Sequence, residues 1–349
     1  MFMAAWQDRF WTSSDGLRLH YRDYAGPADR PPILCLPGLT RNARDFEPVA
    51  DRLAGEWRIL AVEFRGRGQS QHDPNPNNYV PHTYATDLLK LLDQLGIADA
   101  VFFGTSLGGI VTMLMSSTDP ERIAGALLND IGPEIEEAGV ERLRSYVGKA
   151  SSWSTWAEAG EAAAQRNRIA FPHYTPEQWE HFARRLASER PDGSVQADYD
   201  MAISQAFAED KGTPEFEPWS LIEGLEDKPV LIVRGETSDL FSATTADRML
   251  AALPKAELVT IPGIGHAPIL DEPEAAAGID RLLERVLVEE ALSRTSAARA
   301  WRAQPDRPLP AKWSTGTSRS CRTAGRSPYG RPYMPLPRRP SPKRCRSPS

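Results

Sequence analysis

Six short apolar runs alternate with helical patterns through the first 290 residues, and this rhythm limits the fold more than any other feature of the chain. The runs fall at 32–36, 58–64, 100–103, 124–129, 229–234 and 257–261. Continuous apolar runs of this length bury both faces, as parallel strands do. Helical patterns fall between and after them at 43–53, 83–95, 107–117, 244–253 and 273–289. The predicted class is α/β: a mostly parallel central sheet with helices on both faces. An N-terminal hairpin precedes it, from 10–12 and 17–24 around Asp15-Gly16, with the second strand alternating like an exposed one.

One stretch breaks the rhythm. Between Asn129 and Pro229 no strand is expected, only helical patterns at 134–149, 155–170, 176–188 and 198–209. A helical insertion between two parallel strands reads as a cap over the carboxyl edge of the sheet, where ligands bind. Trp153, Trp156, Trp179 and Trp219 fall in it, and the expectation is that they join the cap to the body. The predicted organisation is a core at 1–132, a cap at 133–228, the rest of the core at 229–290 and a tail at 291–349.

The tail is a different kind of polypeptide. Formal net charge is −6 overall, but residues 1–290 carry −19 and residues 291–349 carry +13. Ten prolines and twelve arginines without periodicity predict disorder for the tail, whether it is functional or the product of a shifted reading frame. The acidic body argues against nucleic acid as a required partner. No apolar run approaches the ~18–20 residues of a membrane span. The N-terminus lacks a signal-peptide pattern, Cys35, Cys321 and Cys345 cannot form a disulfide framework, and no Cys/His cluster has metal-ligand spacing. The expected location is the cytoplasm, with no metal and no cofactor.

Chemistry concentrates in four stretches. The run Val101-Phe102-Phe103 enters Gly104-Thr105-Ser106-Leu107-Gly108, and an apolar helical pattern follows. A strand turning into a helix through Gly-x-Ser-x-Gly exposes the serine hydroxyl at the tip of a strained turn. The next amide, of Leu107, lies at a helix N-terminus that favours an anion. A serine needs a base, and His266, in the glycine-rich 261–268 loop after the last strand, is the histidine placed to supply it. The base in turn needs an orienting carboxylate. Asp239, in the loop after the 229–234 strand, is the preferred candidate. Glu236 in the same loop and Asp130 after the 124–129 strand are the other two. The Leu36-Pro37-Gly38-Leu39 turn would aim the Leu39 N–H into the same space, so that Leu39 and Leu107 together form an oxyanion hole. Arg41 and Arg44 follow this turn and could meet an anionic substrate or cap the next helix.

These stretches resemble the α/β-hydrolase fold superfamily over about residues 8–290. The 36–38 turn is similar to the family's His-Gly loop with Pro37 in the histidine's place. Glu63-Phe64-Arg65-Gly66-Arg67-Gly68-Gln69-Ser70 is similar to its Asp-x-Arg-Gly-x-Gly-x-Ser stretch, and the elbow and the Gly-His stretch match it directly. The order Ser106, Asp239, His266 is the family's usual order. Helical cap and elbow serine together resemble the group of 3-oxoadipate enol-lactonases and meta-cleavage C–C bond hydrolases. The resemblance implies a serine esterase, carboxylesterase or lactonase acting on a small ester or lactone. Alternatives are C–C bond hydrolysis of vinylogous diketones, acyl transfer, or a ligand receptor with an intact triad. Oligomeric state is left open.

Overall fold

The computed structural model describes residues 4–149, 151–208 and 217–302. The chain opens on the expected hairpin, β1 (Trp6–Thr12) and β2 (Arg18–Tyr24), paired antiparallel from Trp6 opposite Tyr24 to Thr12 opposite Arg18. The second strand is mostly covered rather than exposed. Then come β3 (Ile33–Leu36), α1 (Glu47–Leu53) after a 3-10 turn, β4 (Ile59–Glu63) and α2 (Pro81–Leu95). These are followed by β5 (Ala100–Thr105), α3 (Leu107–Thr118) and β6 (Ile123–Asn129).

The insertion holds α4 (Glu137–Tyr146), β7 (Ser152–Trp153), α5 (Trp156–Asn167), α6 (Pro176–Leu186), β8 (Ala187–Glu189), β9 (Val195–Ala197) and α7 (Ile203–Ala208). The core resumes with β10 (Val230–Gly235), α8 (Ala243–Ala252), β11 (Ala256–Ile261) and α9 (Pro273–Arg302). All six apolar runs become strands of one eight-stranded sheet, in the order β1-β2-β4-β3-β5-β6-β10-β11. β2 alone runs opposite to the other seven strands.

Why the runs are continuous is visible in the packing. Leu34, Leu36, Phe102, Leu128 and Ile232 meet one layer, with Leu88, Leu91 and Leu92 of α2, Val111 and Met115 of α3 and Met249 of α8. The alternate residues Ile33, Cys35, Val101, Phe103, Leu127 and Leu231 meet the other, with Val49 and Leu53 of α1 and Ile279, Leu282 and Val286 of α9. A strand covered on both faces has no polar side to display.

Two expectations need correction. The insertion expected to form a helical cap is not all helix: β8 and β9 form a hairpin and β7 adds to it, giving a three-stranded antiparallel sheet. Strands of two or three residues are too short to show alternation. The last helix also runs to Arg302, past the tail boundary expected at 290. The disorder expected of the tail concerns residues that otherwise lie outside those described. Among the described residues no helix is long and apolar enough to cross a membrane.

The Arg65-Gly66-Arg67-Gly68 turn is a structural hub. The Arg65 side chain, 1% exposed, bonds Asp87 at 2.8 and 2.7 Å, Asp15 at 2.8 Å, and Asp73. Buried Asp73 and Asp87 depend on that charge, since an uncompensated buried carboxylate is costly. Arg65→Met is expected to lower the unfolding free energy by ~3–5 kcal/mol, as read by urea denaturation.

Candidate active site

The central strand β5 passes into α3 through Ser106, held at φ 52° and ψ −115°. Few residues with side chains tolerate that backbone, and the neighbouring glycines explain how it is reached. A Cβ on Gly104 would lie 2.6 Å from the Gly108 carbonyl carbon, and one on Gly108 would lie 2.0 Å from the Leu36 carbonyl oxygen. The turn therefore closes only with glycine at both positions. It leaves Ser106 facing a cavity between core and cap.

His266 follows β11 and reaches back over the end of β10. Its Nε2 lies 3.0 Å from Ser106 Oγ, and its Nδ1 lies 2.8 Å from Asp130 Oδ2. The Asp130 side chain is wholly buried. Besides the imidazole it accepts the Gly235 N–H on Oδ1 at 2.7 Å and the Ser238 hydroxyl on Oδ2 at 2.6 Å. A carboxylate only accepts, so the imidazole proton sits on Nδ1 and Nε2 is free to accept from Ser106.

Asp239, the carboxylate expected beside His266, is therefore placed elsewhere. It accepts two hydrogen bonds from Arg142 of α4, from Nε at 2.5 Å and from Nη2 at 2.8 Å, and ties the insertion to the core. The physical reason lies in the loop after β10. The Gly235 N–H at the end of β10 and the Ser238 O–H in that loop converge on Asp130, so this segment supports the carboxylate instead of supplying it. Asp130 directly follows β6, which lies next to β5 in the sheet, and its φ of 56° turns the side chain toward the His266 loop. Aspartate enters that backbone region more readily than most residues. The sequence signal was the polar pair Asn129-Asp130 closing an apolar strand: Asn129 Nδ2 also donates to the Pro268 carbonyl at 2.8 Å. Glu236 accepts the Gly263 N–H at 2.8 Å and braces the same loop.

Leu39 and Leu107, the residues expected to supply oxyanion donors, both border Ser106. Leu107 is the first residue of α3, so its N–H has no acceptor within the helix. Leu39 lines the cavity, and a Cβ on the preceding Gly38 would sit 3.8 Å from the Ser106 Cβ. Buried Arg67 fixes this loop, donating from Nε to the Leu39 carbonyl at 2.9 Å and from Nη1 to the Arg65 carbonyl at 2.7 Å. Cys35 is buried in β3, and burial pushes its thiol well up. Arg44 serves the cap, bonding Asp198 at 2.8 Å.

The cavity wall mixes apolar side chains with three guanidinium groups, the Asp45 carboxylate and a few uncharged polar groups. Arg41 is paired with Asp45 at 2.7 and 2.6 Å, Arg142 with Asp239, and Arg166 of α5 with no carboxylate among the described residues. Tyr146 lies among them: burial raises its hydroxyl above its usual value, while Arg142, Arg41 and Arg166 pull it down. Of the four cap tryptophans only Trp153 reaches this cavity. Trp179 packs inside the cap.

Known proteins are similar to this chain in sequence and fold. A family model described as the alpha/beta hydrolase fold matches residues 31–273. A 3-hydroxybutyrate-oligomer hydrolase of Cupriavidus necator is 33% identical over 269 residues, covering 74% of this chain and 90% of its own. A 2-(acetamidomethylene)succinate hydrolase of Mesorhizobium japonicum is 29% identical over 68% of this chain and 81% of its own. The crystal structure of an alpha/beta hydrolase from Novosphingobium aromaticivorans superposes with a TM-score of 0.77 at 51% identity, over 81% of this chain and all of that one.

The cap latch has a pH signature. Burial alone would raise the Asp239 carboxyl, but the hydrogen bonds and charge of Arg142, with His266, hold it below its usual value. A carboxylate depressed in the folded state adds stability above its unfolded pKa of about 3.8 and loses it as pH falls through the lower folded value. The thermal stability gap between wild type and Asp239→Asn is expected to be constant from about pH 5 to 7 and to close below about pH 4, as followed by differential scanning fluorimetry.

Proposed function

The chain belongs to the α/β-hydrolase fold family, and from that premise we propose that it is a serine hydrolase of small carboxylic esters or lactones, working through an acyl-enzyme on Ser106. The observation that carries the reading is the relay from Ser106 Oγ through His266 to Asp130, at 3.0 and 2.8 Å, open to the cavity. His266 Nε2 takes the hydroxyl proton as Oγ adds to the ester carbonyl. Asp130 holds the imidazole in its Nδ1–H tautomer and stabilises the imidazolium. The N–H groups of Leu39 and Leu107 meet the oxyanion, an interaction worth about 3–4 kcal/mol per donor where one has been removed from such sites. The imidazolium then protonates the leaving alkoxide. A water, deprotonated by the same nitrogen, releases the acid and restores Ser106.

The Cupriavidus relative is named for oligomers of 3-hydroxybutyrate, whose units are joined by ester bonds, and this favours ester chemistry over C–C cleavage. The test is pre-steady-state turnover of p-nitrophenyl butyrate. Wild type should release a burst of nitrophenolate and carry a butyryl adduct on the Ser106 peptide, and Ser106→Ala should show neither. Undiminished hydrolysis by Ser106→Ala would contradict the proposal.

A further inference from the structure

The three guanidinium groups of the cavity are not equivalent. Arg41 and Arg142 each spend two hydrogen bonds on an aspartate of the core. Arg166 donates from Nη2 to the Ser151 hydroxyl at 2.9 Å, and among the described residues no carboxylate stands within ion-pair distance of it. It is nonetheless held in place. Its guanidinium lies 5.7 Å from the Tyr146 ring and 5.9 Å from the Trp153 ring, within cation–π range of both. A fixed cation held between two aromatic rings has lost part of its hydration without gaining a counter-charge of its own, since the Asp45 carboxylate in the same wall is taken by Arg41, so it favours an anionic ligand. The fork geometry of arginine suits a carboxylate in particular.

Its position is also telling. Arg166 lines the cavity that contains Ser106 and His266, and it borders a smaller recess shared with His266, Arg142 and Asp239. The wall around them includes Leu143, Val147, Phe171 and Phe182, which fit a short hydrocarbon. We propose that Arg166 anchors a free carboxylate of the substrate, so that the ester delivered to Ser106 is an anionic one, with an acid group at one end and a short aliphatic body between. This assignment rests on the ester-hydrolase reading above and narrows it to carboxylate-bearing esters, such as short oligoesters of hydroxy acids.

The experiment compares two probes, the linear dimer of 3-hydroxybutyrate with its free carboxylate and the methyl ester of that dimer. Cleavage of the internal ester is followed by chromatography. Wild type should prefer the acid. Arg166→Gln should lower the ratio of kcat/KM for acid over methyl ester by roughly tenfold or more, chiefly through KM for the acid. Arg166→Lys should recover part of the ratio by restoring the charge. An equal loss on both probes, leaving the ratio unchanged, would assign Arg166 to cap structure and overturn the proposal, as would an Arg166→Gln enzyme that handles the acid like wild type. Wild type that is inert toward both dimers and toward p-nitrophenyl butyrate would instead overturn the ester reading itself.

Discussion

The Asp130 carboxylate is the interaction on which the site depends. It is fully buried, and its burial is tolerable because three donors meet it: the Gly235 amide, the Ser238 hydroxyl and the His266 imidazole. An ionised group left unmatched there would be too costly to keep. These donors come from the end of β10, the loop after it and the loop after β11, so one side chain gathers three segments at the carboxyl edge of the sheet. Asn129 adds a fourth tie through the Pro268 carbonyl. The order of strands makes this possible, because β6 lies between the serine strand β5 and β10. The histidine, after β11, crosses the ends of β10 and β6 to reach the serine.

Residues of the insertion line the cavity from the other side. The insertion's helices bring two arginines into the cavity, one locked to Asp239 and one free of carboxylates among the described residues. Cap and core are joined by short polar contacts: Gly68 N–H to the Asp198 carbonyl at 3.0 Å, Asp200 N–H to the Gly66 carbonyl at 2.7 Å, and Asn42 to the Arg185 carbonyl at 3.0 Å. The His266 loop is held against the cap as well, through the Gly265 N–H and the Ala170 carbonyl at 2.9 Å. Cap position and imidazole position are thus coupled, and cavity charge is set by which arginines the core neutralises.

The sheet and the elbow were legible because their causes are local. A doubly buried strand must be apolar throughout, and a turn whose Cβ atoms would strike backbone must carry glycine at Gly104 and Gly108. The histidine was legible for a similar reason, since it stands in a glycine-rich loop after the last strand. The carboxylate was not. Asp130 and Asp239 both follow a strand at the same sheet edge, and the choice between them is made by the Gly235 and Ser238 donors and by Arg142, which lies 97 residues from Asp239 in the chain. Chain order favoured Asp239, and three-dimensional hydrogen bonding favours Asp130. The short cap strands escaped notice because two or three residues carry no period.

The most direct measurement is kcat for ester hydrolysis by Asp130→Asn and Asp239→Asn side by side, with folding checked by circular dichroism. An asparagine at the position that holds the imidazole tautomer is expected to cut kcat by about 10³–10⁴-fold, while Asp239→Asn stays within roughly tenfold of wild type because its partner is Arg142. The reverse pattern, a near-normal Asp130→Asn and a crippled Asp239→Asn, would contradict the assignment of Asp130 to His266.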